Sequence, residues 1–198
     1  MLFINQNDYP HIPYPTDTEH PGCNNELNGT VKTSGCGLCC ACMMIDRLTL
    51  ESLSLEDCLQ MSLATGANHE PGTDMLILGP VLAERFNLVM TTSNSIEDVI
   101  ACLHSGGAVI ANPGGDQEGY IGLFTHGGHY ILLTSYDEKT EEFLILDPSW
   151  SPTKFQEEGR VGKVREEGCL VYAHADVIMR DSDNRDPRFY MFRRKSDQ

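Results

Sequence analysis

One cysteine stands where a nucleophile could be made. Cys36 lies between glycines in Thr33-Ser34-Gly35-Cys36-Gly37, at the mouth of an apolar run with helical spacing. A histidine follows far downstream in Gly127-Gly128-His129-Tyr130, and an aspartate soon after it in Leu144-Ile145-Leu146-Asp147-Pro148. Cys, then His, then Asp, each at the edge of a regular element, is a chain order suited to covalent thiol chemistry. A cysteine attacks as its thiolate, and an ordinary thiol titrates near ~8.5, so a catalytic one must be acidified. The unpaired amides and dipole of a helix N-terminus supply part of that, and a nearby imidazolium supplies the rest. Gly35 and Gly37 would let a substrate backbone approach the sulfur. The plainer alternative is that Cys36 is one more small buried residue at a tight turn.

The elements that must position these groups can be read from the surrounding pattern. Tyr130 to Tyr136 and Glu142 to Leu146 are strand-like runs joined by Asp137-Glu138-Lys139-Thr140, a hairpin signal. With the turn centred near Lys139, cross-strand pairing brings His129 and Asp147 within about two residues of each other. Asp147 would then orient the imidazole and stabilise its cation. The alternatives are a core histidine at a strand start and an Asp-Pro turn. His126 is a rival base, but it sits in the glycine-rich loop from Gly114 to Gly128, where orienting it costs more entropy. That loop lacks a Gly-Lys-Ser/Thr signature and reads as a mobile rim beside the base, not as a phosphate cradle. Donors for a developing oxyanion would be the Cys36 amide and a side-chain amide among Asn5, Gln6 and Asn7, residues that a surface turn explains equally well.

Upstream, Leu38, Ala41, Cys42, Ile45 and Leu48 recur at helical spacing from Gly37 to about Leu50. Ser54 with Asp57 resembles a capping box opening a helix through about Ala64. A third helix spans roughly Asp74 to Phe86, bent or restarted at Gly79-Pro80. Ser95 caps Ile96 to His104. Ala108–Ala111 is a short buried strand, and further strands are expected at Val161–Val164, Cys169–Ala173 and Arg188–Phe192. Residues 1–35 read as an extended arm, 36–105 as mainly helical and 106–198 as mainly β, giving one α+β domain over 1–198.

Composition bounds the partners. The chain has 198 residues, 40% of them hydrophobic, which suits a single core. Its net charge of −15 argues against nucleic acid or an anionic membrane and biases it toward a cationic or neutral substrate. The basic run Arg193-Arg194-Lys195 reads as a solvated tail. No stretch approaches the ~20 apolar residues of a membrane span, and no signal peptide is seen. Four of the eight cysteines crowd into Cys36, Cys39, Cys40 and Cys42. Such spacing suits free thiols better than a disulfide framework, and the expected compartment is the cytoplasm. Cys36-x-x-Cys39 has no second ligand pair for zinc and is a weak dithiol signal. Trp150 is either a shield for the ion pair or core. His11, His20, His69, His104 and His174 form no pattern.

At these blocks the sequence resembles the papain-like cysteine peptidases related to the double-glycine leader-processing peptidases of bacteriocin exporters. The matching segments are Gln6-Asn7-Asp8-Tyr9-Pro10, Ser34-Gly35-Cys36-Gly37 with Met43-Met44, Gly127-Gly128-His129-Tyr130-Ile131, and Leu146-Asp147-Pro148-Ser149. The resemblance implies a papain-like fold, with an N-terminal helical part packed on an antiparallel sheet. It implies Cys36 as nucleophile, His129 as base and acid, Asp147 as its orienter, and Gln6 as the oxyanion-hole amide. Leu38-Cys39-Cys40 stands where relatives commonly carry Pro-Thr-Ser or similar. No transporter follows, so a leader-processing role is not implied. The expected activity is hydrolysis of a peptide or protein tail through an acyl-enzyme, without metal or organic cofactor. An acyltransferase or transglutaminase-like enzyme would use the same residues. A peptide-binding module on the same fold would keep them without turnover.

Overall fold

The computed structural model describes residues 1–16, 29–69 and 72–195. The apolar run after Gly35 forms α2 (Cys36–Leu48), preceded by a single turn, α1 (Val31–Ser34). Gly35 ends one helix and starts the other. Every residue from Cys36 to Ile45 is buried, as is Leu48, so α2 is apolar all round and runs through the core. Cys39, Cys40 and Cys42 are small packing residues on it.

The expected caps set the next helices. Ser54 opens α3 (Leu55–Thr65), its hydroxyl accepting from the Asp57 amide at 3.0 Å and donating to the Asp57 carboxylate at 2.7 Å. Asp74 opens α4 (Met75–Arg85) by accepting from the Leu76 amide at 2.8 Å, and Pro80 lies within that helix. Ser95 opens α5 (Ile96–His104), accepting from the Asp98 amide at 3.3 Å.

Seven strands form one antiparallel sheet: β1 (Leu88–Ser93), β2 (Ala108–Ala111), β3 (Ile131–Asp137), β4 (Glu142–Leu146), β5 (Arg165–Glu167), β6 (Leu170–His174) and β7 (Phe189–Arg194). Their order is β1-β7-β2-β3-β4-β6-β5. The class is α+β. Both faces are covered. Alternate strand residues such as Ile110, Leu132 and Phe192 join α2, α3 and α4 in one core. Their neighbours Val109, Leu133 and Met191 join α5 and α6 (Ala175–Asp181) in another. Burying a side chain of the size of Leu or Phe in either layer contributes about 1.5–3 kcal/mol.

Four elements differ from the sequence expectation, the first being α1, a helical turn at the end of the segment read as an extended arm. The segment Val161–Val164 is turn, because Gly162 sits at φ 77° and directs the chain away from extended pairing; the strand begins at Arg165. β1 interrupts the helical half as a half-exposed edge strand paired with β7. α6 adds a helix between β6 and β7. The glycine-rich loop is tied to the end of α6. The buried Asp181 carboxylate accepts from the Leu123 amide at 2.6 Å, the Phe124 amide at 3.1 Å and the Tyr120 hydroxyl at 2.9 Å. His20 lies outside the described residues. The seven cysteines among the described residues are free thiols. Among the described residues no helix is long and apolar enough to cross a membrane.

Candidate active site

The first turn of α2 carries Cys36, with only 9% of the residue exposed. The glycines beside it are packing devices. A Cβ on Gly35 would lie 2.5 Å from the Val31 carbonyl oxygen, and one on Gly37 would lie 2.7 Å from Thr73 Cβ. Their missing side chains let α1 and Thr73 close on Cys36. The space is filled by protein, where the sequence reading had left it for a substrate backbone.

The β3–β4 hairpin delivers the other two groups. Its register pairs Leu132 with Leu146, so continuing it sets Ile131 opposite Asp147 and leaves His129 two positions away. His129 Nε2 meets Asp147 Oδ1 at 2.8 Å, both residues being buried. That leaves Nδ1 for the sulfur. Ser149 caps the turn, donating its amide to Asp147 Oδ1 at 2.9 Å, and its hydroxyl lies 3.1 Å from His129 Nε2.

A fourth group was not foreseen. Lys154, buried to 7% exposure, donates to Asp147 Oδ2 and to the Ser149 hydroxyl, each at 2.5 Å. Asp147 is fully buried, which works to raise its pKa. The Lys154 charge, then the His129 hydrogen bond and charge, overcome that and hold the carboxyl well below the usual carboxylate range. Burial likewise disfavours a charged His129, but its hydrogen bonds to Asp147 and Cys36 prevail over burial and Lys154 repulsion, raising its pKa. Burial disfavours the Cys36 thiolate too. The His129 hydrogen bond and charge, helped by the Tyr130 and Gly37 amides, outweigh it and lower the thiol below its ordinary value. Cys39 and Cys40 lack such a partner, and burial pushes both thiols well up.

Gly128, His129 and Tyr130 also line a cavity of about 200 Å³ that opens onto Cys36, with Thr73 and Asp74 among the facing residues. Gln6 is not among the residues lining that cavity. Its amide donates to the Pro148 carbonyl at 2.7 Å and its Nε2 to the Lys32 carbonyl at 2.6 Å, stitching the N-terminal segment to the turn after Asp147. One Nε2 hydrogen is left over, while Oε1 is buried without a partner. Asn5 Nδ2 reinforces the stitch by donating to the Trp150 carbonyl at 2.8 Å. The Trp150 ring nitrogen donates to Glu166 at 2.8 Å, and the ring packs partly buried against the core beneath α5. The rival base His126 is turned away, exposed between Asp116 at 2.9 Å and Glu157 at 3.3 Å. His69, unremarkable in sequence, lines the cavity.

Comparison with known proteins gives three results. The model of the Peptidase_C39 like family matches residues 3–167. The crystal structure of a protein described as a C39-like peptidase from Bacillus anthracis aligns with a TM-score of 0.55 at 13% identity, covering 94% of this chain and 96% of that one. At that identity the structural likeness speaks for the fold alone. No curated protein sequence matches.

Proposed function

The chain belongs to the Peptidase_C39 like family, with its papain-like α+β fold, and on that premise we propose that it is a cysteine peptidase working through Cys36, His129 and Asp147. The observation that carries the reading is the position of His129. Its Nε2 is held by Asp147 at 2.8 Å, and its other nitrogen is left to acidify a thiol at a helix start.

In this reading the Cys36 thiolate attacks the carbonyl carbon of a bound peptide. The Cys36 amide, at the first position of α2, and the free Nε2 hydrogen of Gln6 stabilise the oxyanion. His129 gives its Nδ1 proton to the leaving amine as the C–N bond breaks, leaving an acyl-enzyme. A water then loses a proton to His129 and attacks the acyl carbon, releasing the acid and restoring the thiolate–imidazolium pair. Asp147 keeps the ring oriented and its cation favoured throughout. Lys154 keeps Asp147 ionised and opposes the imidazolium, which poises His129 to lose and regain its proton.

The reading is tested by the pH dependence of kcat/KM for an internally quenched peptide library. Because the Cys36 pKa is lowered, the acid limb should lie below the ~8.5 of an ordinary thiol. Because the His129 pKa is raised, the alkaline limb should lie above the ~6.5 of an ordinary histidine. The product is a bell. In Lys154→Met the repelling cation is gone, so the alkaline limb should move up. A rate that rises monotonically through pH 8.5 would contradict the thiolate–imidazolium pair.

A further inference from the structure

Arg185 is an anomaly in this molecule. It stands between α6 and β7, its amide donating to the Ser182 carbonyl at 3.1 Å, and its side chain lines the cavity that opens onto Cys36. Its Nε is buried without a hydrogen-bond partner. Among the described residues no carboxylate forms an ion pair with it. A chain with 29 acidic residues against 14 lysines and arginines has carboxylates in excess, so an unmatched guanidinium at a reactive cavity is not a default outcome.

The described acids beside it in sequence and in the cavity each have another partner. Asp183 accepts from Gln117 Nε2 at 2.6 Å and pairs with Arg180. Asp186 accepts from Asn94 at 3.0 Å. Asp74, which shares the cavity, caps α4. Arginine presents its donors as a rigid planar fork that matches a carboxylate, and desolvation at the cavity wall makes such a bond stronger. The negative field of the whole chain does not oppose this at contact range, since exposed charges beyond a Debye length of ~8 Å are largely screened.

We infer that Arg185 receives a carboxylate of the peptide substrate, carried by a residue adjacent to the scissile bond. The inference rests on the peptidase reading for its substrate but not for its chemistry. A cavity of about 200 Å³ admits little beyond one such residue, so the carboxylate is either a peptide C-terminus or an Asp or Glu side chain.

The first test needs no turnover. Cys36 is alkylated at one pH with iodoacetate, which carries a carboxylate, and with iodoacetamide, its neutral counterpart. The ratio of the two rates should fall about tenfold in Arg185→Gln, the size expected for one charge-assisted bond. It should fall less in Arg185→Lys, which keeps the charge without the fork and covers the case that the glutamine variant does not fold. A ratio within twofold of wild type in both variants overturns the inference. Peptide pairs then separate the sources. A preference for a free over an amidated C-terminus assigns the terminal carboxylate, and a preference for Glu over Gln beside the cut assigns a side chain. Turnover of all four with no preference overturns the inference, whereas no turnover with a shifted alkylation ratio overturns the peptidase reading and leaves the carboxylate site standing.

Discussion

Asp147→Ala is expected to destabilise the protein by about 3–5 kcal/mol, the range found when one partner of a buried ion pair is removed. The carboxylate is fully buried and serves two groups at once. Oδ1 holds His129 and Ser149, and Oδ2 takes the Lys154 ammonium at 2.5 Å. Without it, Lys154 is a buried cation whose one remaining hydrogen bond among the described residues is to the Ser149 hydroxyl. Denaturant unfolding of Asp147→Ala, Lys154→Met and the combined Asp147→Asn/Lys154→Met variant checks the origin of the loss. The combined variant should recover much of it, because neither charge is then stranded. The pH dependence has a definite sign. The folded-state pKa of Asp147 is depressed, so its contribution is fully present above the ordinary carboxyl value of ~3.9. It is lost as pH falls from there toward the folded value. Wild-type stability should therefore decline below about pH 4 with a steeper slope than Asp147→Ala shows.

The second large effect falls on activity. Cys36→Ala removes only a sulfur from the first turn of α2, and alanine is accepted at a helix start. Hydrolysis should fall by roughly 10⁶-fold, the scale seen when a covalent nucleophile is deleted, while stability changes by no more than about 1 kcal/mol. Peptide cleavage and urea unfolding measured on the same preparation separate the two. Residual cleavage near the wild-type rate would place the nucleophile elsewhere, with the seven other cysteines as the next to test.

That Cys36, His129 and Asp147 would meet was readable because each occupies the edge of an element whose own signal is local. Gly35-Cys36-Gly37 precedes a helical apolar run, and His129 and Asp147 flank a hairpin closed by a four-residue turn, so register could be counted from sequence. Lys154 could not be found that way. In Ser151-Pro152-Thr153-Lys154 it reads as a surface lysine, and only the return of the chain beneath Asp147 buries it. Arg185 is similarly masked by its charged setting, Asp183-Asn184-Arg185-Asp186. β1 escaped detection because it is half exposed and its partner β7 lies far downstream, so neither periodicity nor a local turn marks it. The glycines around Cys36 were seen, but their purpose was misjudged. Composition says that a side chain is absent, and only packing says what takes its place.

The central claim is that Cys36 is a thiolate paired with the His129 imidazolium. Site-resolved alkylation of all eight cysteines by iodoacetamide from pH 4 to 9, in wild type and in His129→Ala, tests it most directly. The account predicts that Cys36 reacts far faster than the other thiols well below the ~8.5 at which an ordinary cysteine ionises, and loses that advantage in His129→Ala. If Cys36 in the wild type reacts only as the pH nears ~8.5, or if the variant keeps the acid reactivity, the pair does not exist and the peptidase reading fails.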